Sequence, residues 1–176
     1  MSRQPGNGPV TVIIVSGPPG AGKTTVAREM AARFDRGVHL HTDWFFEAIR
    51  SGYIGPWLKE AHQQNEVVVR AAAEAARVYA EGGYDVVVDG VVLAWALAIY
   101  REVLGRAGME PRFIALLPPV EVILERGPGR APGREPDEAG YRELHRQFVE
   151  SRLPSIDPTG MTPVEVADAV LTLSDR

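Results

Sequence analysis

Gly17-Pro18-Pro19-Gly20-Ala21-Gly22-Lys23-Thr24 is the stretch on which the reading of the fold turns. Its spacing fits G-x-x-x-x-G-K-[ST], the P-loop pattern, and its flanks fit as well. Upstream, Val10-Thr11-Val12-Ile13-Ile14-Val15 is a β-branched run that reads as a buried strand. Downstream, from Thr25 to Phe34, Val26, Met30 and Phe34 recur at i, i+4 and i+8, the spacing of an amphipathic helix. Strand, glycine loop and helix N-terminus make an anion cradle. The glycines let backbone N–H groups curl around the anion, and the helix dipole adds favourable potential. The reading assigns Gly17, Pro18, Pro19, Gly20, Ala21, Gly22, Lys23, Thr24 and Thr25 to a nucleoside triphosphate, expected to be ATP. Lys23 reaches the β- and γ-phosphates, and the Thr24 hydroxyl holds Mg²⁺.

A chain of 176 residues is most simply one domain with room for a full core. Residues 1–9 are polar and rich in Gly and Pro, and read as a loose leader ahead of a single domain over 10–176. They lack the apolar stretch of a signal peptide, and no run approaches the length of a membrane span. A cytoplasmic location is the default expectation. With no cysteine, disulfides and thiolate metal sites are excluded. The chemistry falls to carboxylates, His, Arg, Lys and hydroxyls. The net charge of −4 argues against a nucleic-acid substrate, short of a local basic patch.

Strands alternate with helices along the chain. Gly37-Val38-His39-Leu40 reads as a short strand leading into His41-Thr42-Asp43, with a helix from Trp44 to Ser51 closed by Gly52. A long helix begins near Trp57 or Lys59 and runs to about Glu81, with Val68, Ala71, Ala72, Ala75 and Val78 as its buried stripe. Tyr84-Asp85-Val86-Val87-Val88-Asp89 has the near-continuous apolar run of a central parallel strand. A helix from Trp95 to Arg106, a strand over Arg112 to Leu117 and a short helix from Val120 to Glu125 follow. Residues 127–137 are rich in Gly, Pro and Arg without apolar periodicity, and read as a lid. Tyr141, Leu144 and Phe148 resume helical spacing, and Ser155-Ile156-Asp157 reads as a short edge strand. Thr162-Pro163-Val164-Glu165 is a capping box that opens the last helix. The expected fold is a three-layer α/β P-loop NTPase fold, a five-stranded parallel sheet with helices on both faces and an Arg-rich lid. In such sheets ligands sit at the carboxyl ends of the strands.

Three groups at those ends carry the expected chemistry. Asp89 closes an aliphatic run, the Walker B pattern, and is expected to bind Mg²⁺ beside the Thr24 hydroxyl. Asp43 is expected at the sheet's carboxyl edge facing the γ-phosphate, where it accepts a proton from an attacking hydroxyl; an aspartate before a helix also suits an N-cap. Arg130 and Arg134 in the lid, with Arg126 at its hinge, are expected to stabilise the charge on the transferring phosphoryl group. Arg142 and Arg146 read as surface partners, with Glu138 set to pair with Arg142. On the acceptor side stand His41, Trp44, Phe45, Phe46, Trp57 and Trp95, with His62, Gln63, Gln64 and Asn65 as polar groups in an apolar-walled pocket.

These motifs resemble the nucleoside-monophosphate-kinase-like group of small P-loop kinases, from Val10 to Leu171. Within it the chain is similar to the chloramphenicol phosphotransferase-like proteins and to bacterial "AAA domain" kinases; zeta-toxin and gluconate kinases share the layout. The resemblance implies that Asp43 activates a substrate hydroxyl, and that Asp157-Pro158-Thr159-Gly160 lies against adenine, so Asp157 and Thr159 join the nucleotide-binding residues. One departure stands out: where the chloramphenicol kinase pattern tends to carry a second acidic residue after the Walker B position, this chain has Gly90. The expected activity is ATP- and Mg²⁺-dependent transfer of phosphate to a hydroxyl of a small molecule, an antibiotic, secondary metabolite or sugar-like acceptor. The rivals are a regulatory ATPase or switch without an acceptor, and a polynucleotide-end kinase.

Overall fold

The computed structural model describes residues 10–126 and 136–174. Five parallel strands form one sheet in the order β2-β3-β1-β4-β5: β1 (Val12–Ser16), β2 (Gly37–His41), β3 (Asp85–Asp89), β4 (Arg112–Leu116) and β5 (Ser155–Ile156). The central strands are apolar because both faces are covered. Alternation along each strand sorts side chains to opposite sides. Val12, Ile14, Val86 and Val88 pack with α3 (His62–Glu81) and α4 (Ala94–Gly105) on one face. Ile13, Val15, Val87, Ile114 and Leu116 pack with α1 (Lys23–Ala31) and α7 (Pro163–Ser174) on the other. Each such fully buried aliphatic side chain contributes about 1.5–3 kcal/mol. The expected α/β fold with helices on both faces is the observed one.

Local signals place several element ends correctly. Gly83 takes φ 81° just beyond α3, in the left-handed region that an L side chain adopts at a cost. In the capping box, Thr162 N donates to Glu165 Oε2 at 2.7 Å, and Glu165 N donates back to Thr162 Oγ1 at 3.3 Å. Short α5 (Val120–Arg126) and α6 (Glu138–Ser151) stand either side of the expected lid, whose residues 127–135, with Arg130 and Arg134, lie outside the described residues, while Asp137 at its end is the N-cap of α6. Glu138 pairs with Arg142 at 2.8 Å, and Arg146 is held between Glu143 and Glu150, all on the surface as expected.

Two expectations are corrected. The helix α2 starts earlier and stops earlier, at Thr42–Glu47. Its N-cap is His41, which makes no side-chain cap, and Asp43 lies inside the first turn; a capping role for Asp43 is removed. The buried stripe of α3 is also rotated: Val68, Val69, Ala72, Ala73, Ala76 and Ala80 are buried, whereas Ala71 and Val78 are exposed. Alanines at 71–73, 75 and 76 make the pattern nearly the same when turned by one residue. The packing against α4 and the sheet settles which face is buried.

Candidate active site

The glycine loop begins where β1 ends. At Gly17, φ is 133°, and a Cβ there would stand 2.2 Å from the Leu116 carbonyl oxygen, so β4 leaves room for nothing larger. The loop closes on Gly22, the left-handed N-cap of α1, and Lys23 and Thr24 open the helix. Lys23 is buried, and its Nζ donates to the Pro18 carbonyl at 2.9 Å, folding the ammonium back over the loop it belongs to. Ser16 adds a brace that its position in the strand did not advertise. Its hydroxyl donates to Val92 O at 3.0 Å and accepts from Val92 N at 2.8 Å, tying β1 to the segment after β3.

The register sets the rest. β1 pairs with β3 so that Val15 stands beside Asp89, which brings the end of β3 next to the start of α1. Thr24 Oγ1 donates to Asp89 Oδ2 at 2.7 Å, so the two expected Mg²⁺ ligands are brought together. A hydroxyl and a carboxylate side by side are hard oxygen donors, the set that suits Mg²⁺. Asp89 is fully buried, and two histidines share its charge. His39 Nε2 lies 2.5 Å from Oδ1, and His41 Nδ1 lies 3.0 and 3.1 Å from the two oxygens. Burial pulls the Asp89 carboxyl upward, yet the hydrogen bonds from His39, His41 and Thr24 outweigh it and hold the group below the usual carboxylate range.

His41 stands between two carboxylates. Its Nε2 faces Asp43 Oδ2 at 3.3 Å while Nδ1 faces Asp89. Hydrogen bonding to Asp43 first, and then to Asp89, raises its pKa to about 9, so it is an imidazolium at neutral pH. Asp43 itself is open to solvent, with 65% of its side chain exposed, at the carboxyl edge where the sequence places it. Trp44 is half exposed and sets its ring edge-on to both histidines at 5.8 Å. His39 belongs to none of the sequence motifs. The signal was there: two histidines two apart on a strand beside the Asp89 strand must share a face.

The other expected residues scatter around this centre. Thr42, ahead of Asp43, is buried and donates from Oγ1 to the Asp89 carbonyl at 2.5 Å. That contact explains Gly90: a Cβ there would lie 1.6 Å from Thr42 Oγ1. The second acidic residue of the chloramphenicol kinase pattern has no space in this chain. Gln64 spends both ends of its amide on Ile54, donating to its carbonyl at 2.7 Å and accepting from its N–H at 2.8 Å, so it holds the loop before α3 in place. Asn65 donates to Pro56 O at 2.7 Å. Trp57 is exposed with its ring laid against Gly55, and His62 stacks edge-on with exposed Trp95 at 5.7 Å. Between α2 and α3 a cavity of about 480 Å³ is lined by Phe45, Ile49, Ile54, Gln63, Val67 and Val68, among others, with Glu60 as the one charged residue among the described lining. Asp157 accepts from Thr159 N at 2.9 Å in a turn after β5, and both are exposed. Arg126, at the end of α5, is exposed.

A family profile described as "AAA domain" matches residues 12–151, most of the chain. The chain belongs to this family. Its structure is similar to the tunicamycin resistance protein of Deinococcus radiodurans, with a TM-score of 0.70 and 20% identity over 93% of this chain and 95% of that one. The APS kinase of Mycobacterium tuberculosis, solved with AMPPNP and APS, gives 0.74 and 19% over 96% and 100%. The shikimate kinase of Acinetobacter baumannii, solved with shikimate, gives 0.60 and 25% over 93% and 92%. Comparison with the curated proteins finds no match. The chain has the fold of the small P-loop kinases. No helix among the described residues is long and apolar enough to cross a membrane.

Proposed function

We propose that the chain transfers the γ-phosphate of ATP to a hydroxyl of a small, neutral and partly apolar molecule. The observation that carries this reading is the solvent-open Asp43 carboxylate on the same sheet edge as the P-loop and Asp89, held from behind by His41. In this scheme the loop amides and Lys23 bind the phosphates, with Asp157 and Thr159 toward the base. Thr24 and Asp89 would hold Mg²⁺, which supplies charge neutralisation at the phosphates. The acceptor oxygen attacks the γ-phosphorus, its proton passes to Asp43, and ADP leaves. His41 acts as a positioning residue that fixes the Asp43 carboxylate. Arg126, Arg130 and Arg134 are the candidates for neutralising the transferring group.

The groove between α2 and α3 favours a neutral acceptor. Its lining is mostly apolar, with Gln63 and Gln64 as neutral polar groups, and the charged residue among its described lining is an acid, so a carboxylate or phosphate there gains no cation from those residues. Shikimate and APS, the molecules bound to two of the similar kinases, are anions. Trp44 beside Asp43, together with Trp57 and Trp95, exposes flat apolar surface, which suits an amphiphilic molecule such as an antibiotic or another secondary metabolite.

The test is ATP consumption with Mg²⁺ across a panel of neutral hydroxylated antibiotics, sugar acids and nucleosides, with mass detection of added phosphate. A neutral amphiphile gaining one phosphate is the expected product. Asp43→Asn should then lower kcat by 10²-fold or more, on the order expected for loss of a general base, with ATP affinity changed only a few-fold. A sugar acid as the preferred substrate would overturn the neutral-acceptor reading. Slow ATP hydrolysis that no compound accelerates would favour a regulatory ATPase instead. Near-full transfer by Asp43→Asn would remove Asp43 from the mechanism.

A further inference from the structure

Three side chains on the α1 side of the sheet converge more closely than Mg²⁺ binding requires. His39 Nε2, His41 Nδ1 and the Asp89 carboxylate lie within 4.8 Å of one another. The parallel register causes this, since His41 stands beside Asp89 and His39 shares its face one step back. We propose that His39, His41 and Asp89 form a binding site for a first-row transition-metal dication, with Zn²⁺ as its representative ion.

The donor set discriminates. Two imidazole nitrogens and one carboxylate oxygen suit zinc, cobalt and nickel, whereas Mg²⁺ takes oxygen and keeps its water. Metal–ligand bonds of about 2.0–2.1 Å need donors somewhat farther apart than the present hydrogen bonds. The contacts of 2.5 to 3.1 Å therefore open slightly as the metal replaces the bridging protons, which leave to solvent.

The surroundings are those of a supported metal ligand. His41 turns its other nitrogen toward Asp43 Oδ2 at 3.3 Å, the carboxylate–histidine arrangement that fixes ring orientation and raises ligand basicity. Thr24 holds Asp89 Oδ2 at 2.7 Å, while Oδ1 faces both histidines. Trp44 packs edge-on against both rings. The site and the Mg²⁺ position share Asp89, so an ion bound to the histidines takes the carboxylate that Mg²⁺ needs. That consequence, inhibition of phosphotransfer by Zn²⁺, rests on the proposed kinase activity; the site itself does not.

The test titrates the full chain with CoCl₂ in the absence of ATP and acceptor and records the visible absorption. The expected result is the intense absorption of a low-coordinate cobalt site, bleached by one equivalent of ZnCl₂ and unaffected by excess MgCl₂. His39→Gln and His41→Gln, checked as folded by circular dichroism, should each abolish it. Asp43→Asn should weaken cobalt affinity about tenfold, as loss of an outer-shell partner does. A wild-type spectrum no different from cobalt in buffer overturns the site, whatever the variants do. So does an unchanged spectrum in both histidine variants. Because no nucleotide is present, these outcomes leave the kinase reading untouched, and failure of the kinase assay leaves them standing.

Discussion

At Asp89 a charge is taken wholly out of water, a step that costs several kcal/mol unless the carboxylate is hydrogen-bonded and paired. Thr24, His39 and His41 supply that compensation, and the adjoining Thr42–Asp89 contact leaves no room at position 90. Gly90→Ala should therefore cost about 1–3 kcal/mol through overpacking against Thr42. A thermal melt unchanged from wild type would mean that the junction of β2 and α2 yields freely. Tyr100 is the opposite case. It is fully buried, its hydroxyl has no partner among the described residues, and burial, followed by the Asp89 charge, pushes its pKa up. Tyr100→Phe removes an unpaired polar atom and should raise stability by about 1 kcal/mol, or Tm by about 2–4 °C. A fall in Tm would reveal a bound partner, such as a water, on that hydroxyl.

Elements were legible where their signal was local. The capping box at Thr162 and Glu165 needs only four consecutive residues, and its reciprocal hydrogen bonds are those the sequence implies. It matters because α7 buries Val166, Ala167 and Val170 against the face of the sheet that carries α1. Thr162→Ala should destabilise the chain by about 1 kcal/mol, while Thr162→Ser should restore most of it. If both variants melt like wild type, the box adds nothing to α7. The bounds of α2 and the buried face of α3 depend on non-local contacts. A helix made of alanine and valine on several sides has no unique apolar stripe, and Asp43 entered the helix because Thr42 is drawn down onto the Asp89 carbonyl.

For the whole molecule, the order β2-β3-β1-β4-β5 puts the P-loop strand at the centre, flanked by the Asp89 strand and by β4. If the loop binds ATP, binding only the folded state stabilises it by about 2.7 kcal/mol at a hundred times Kd. For a chain of this size that is a Tm rise of about 5–10 °C, readable by thermal shift with MgATP. Lys23→Ala should lose most of the rise. No rise for wild type at millimolar ATP would count against nucleotide binding itself. By itself the sequence determined the glycine loop, the apolar strands with their two sorted faces, and the capped last helix. Each of these is written in the periodicity or turn chemistry of neighbouring residues. Only the tertiary structure decided that His39 and His41 close on Asp89, that Gly90 must stay bare, and which side of α3 is buried. Those facts depend on strand register and helix rotation, which are fixed when distant segments pack and which no local stretch of sequence encodes.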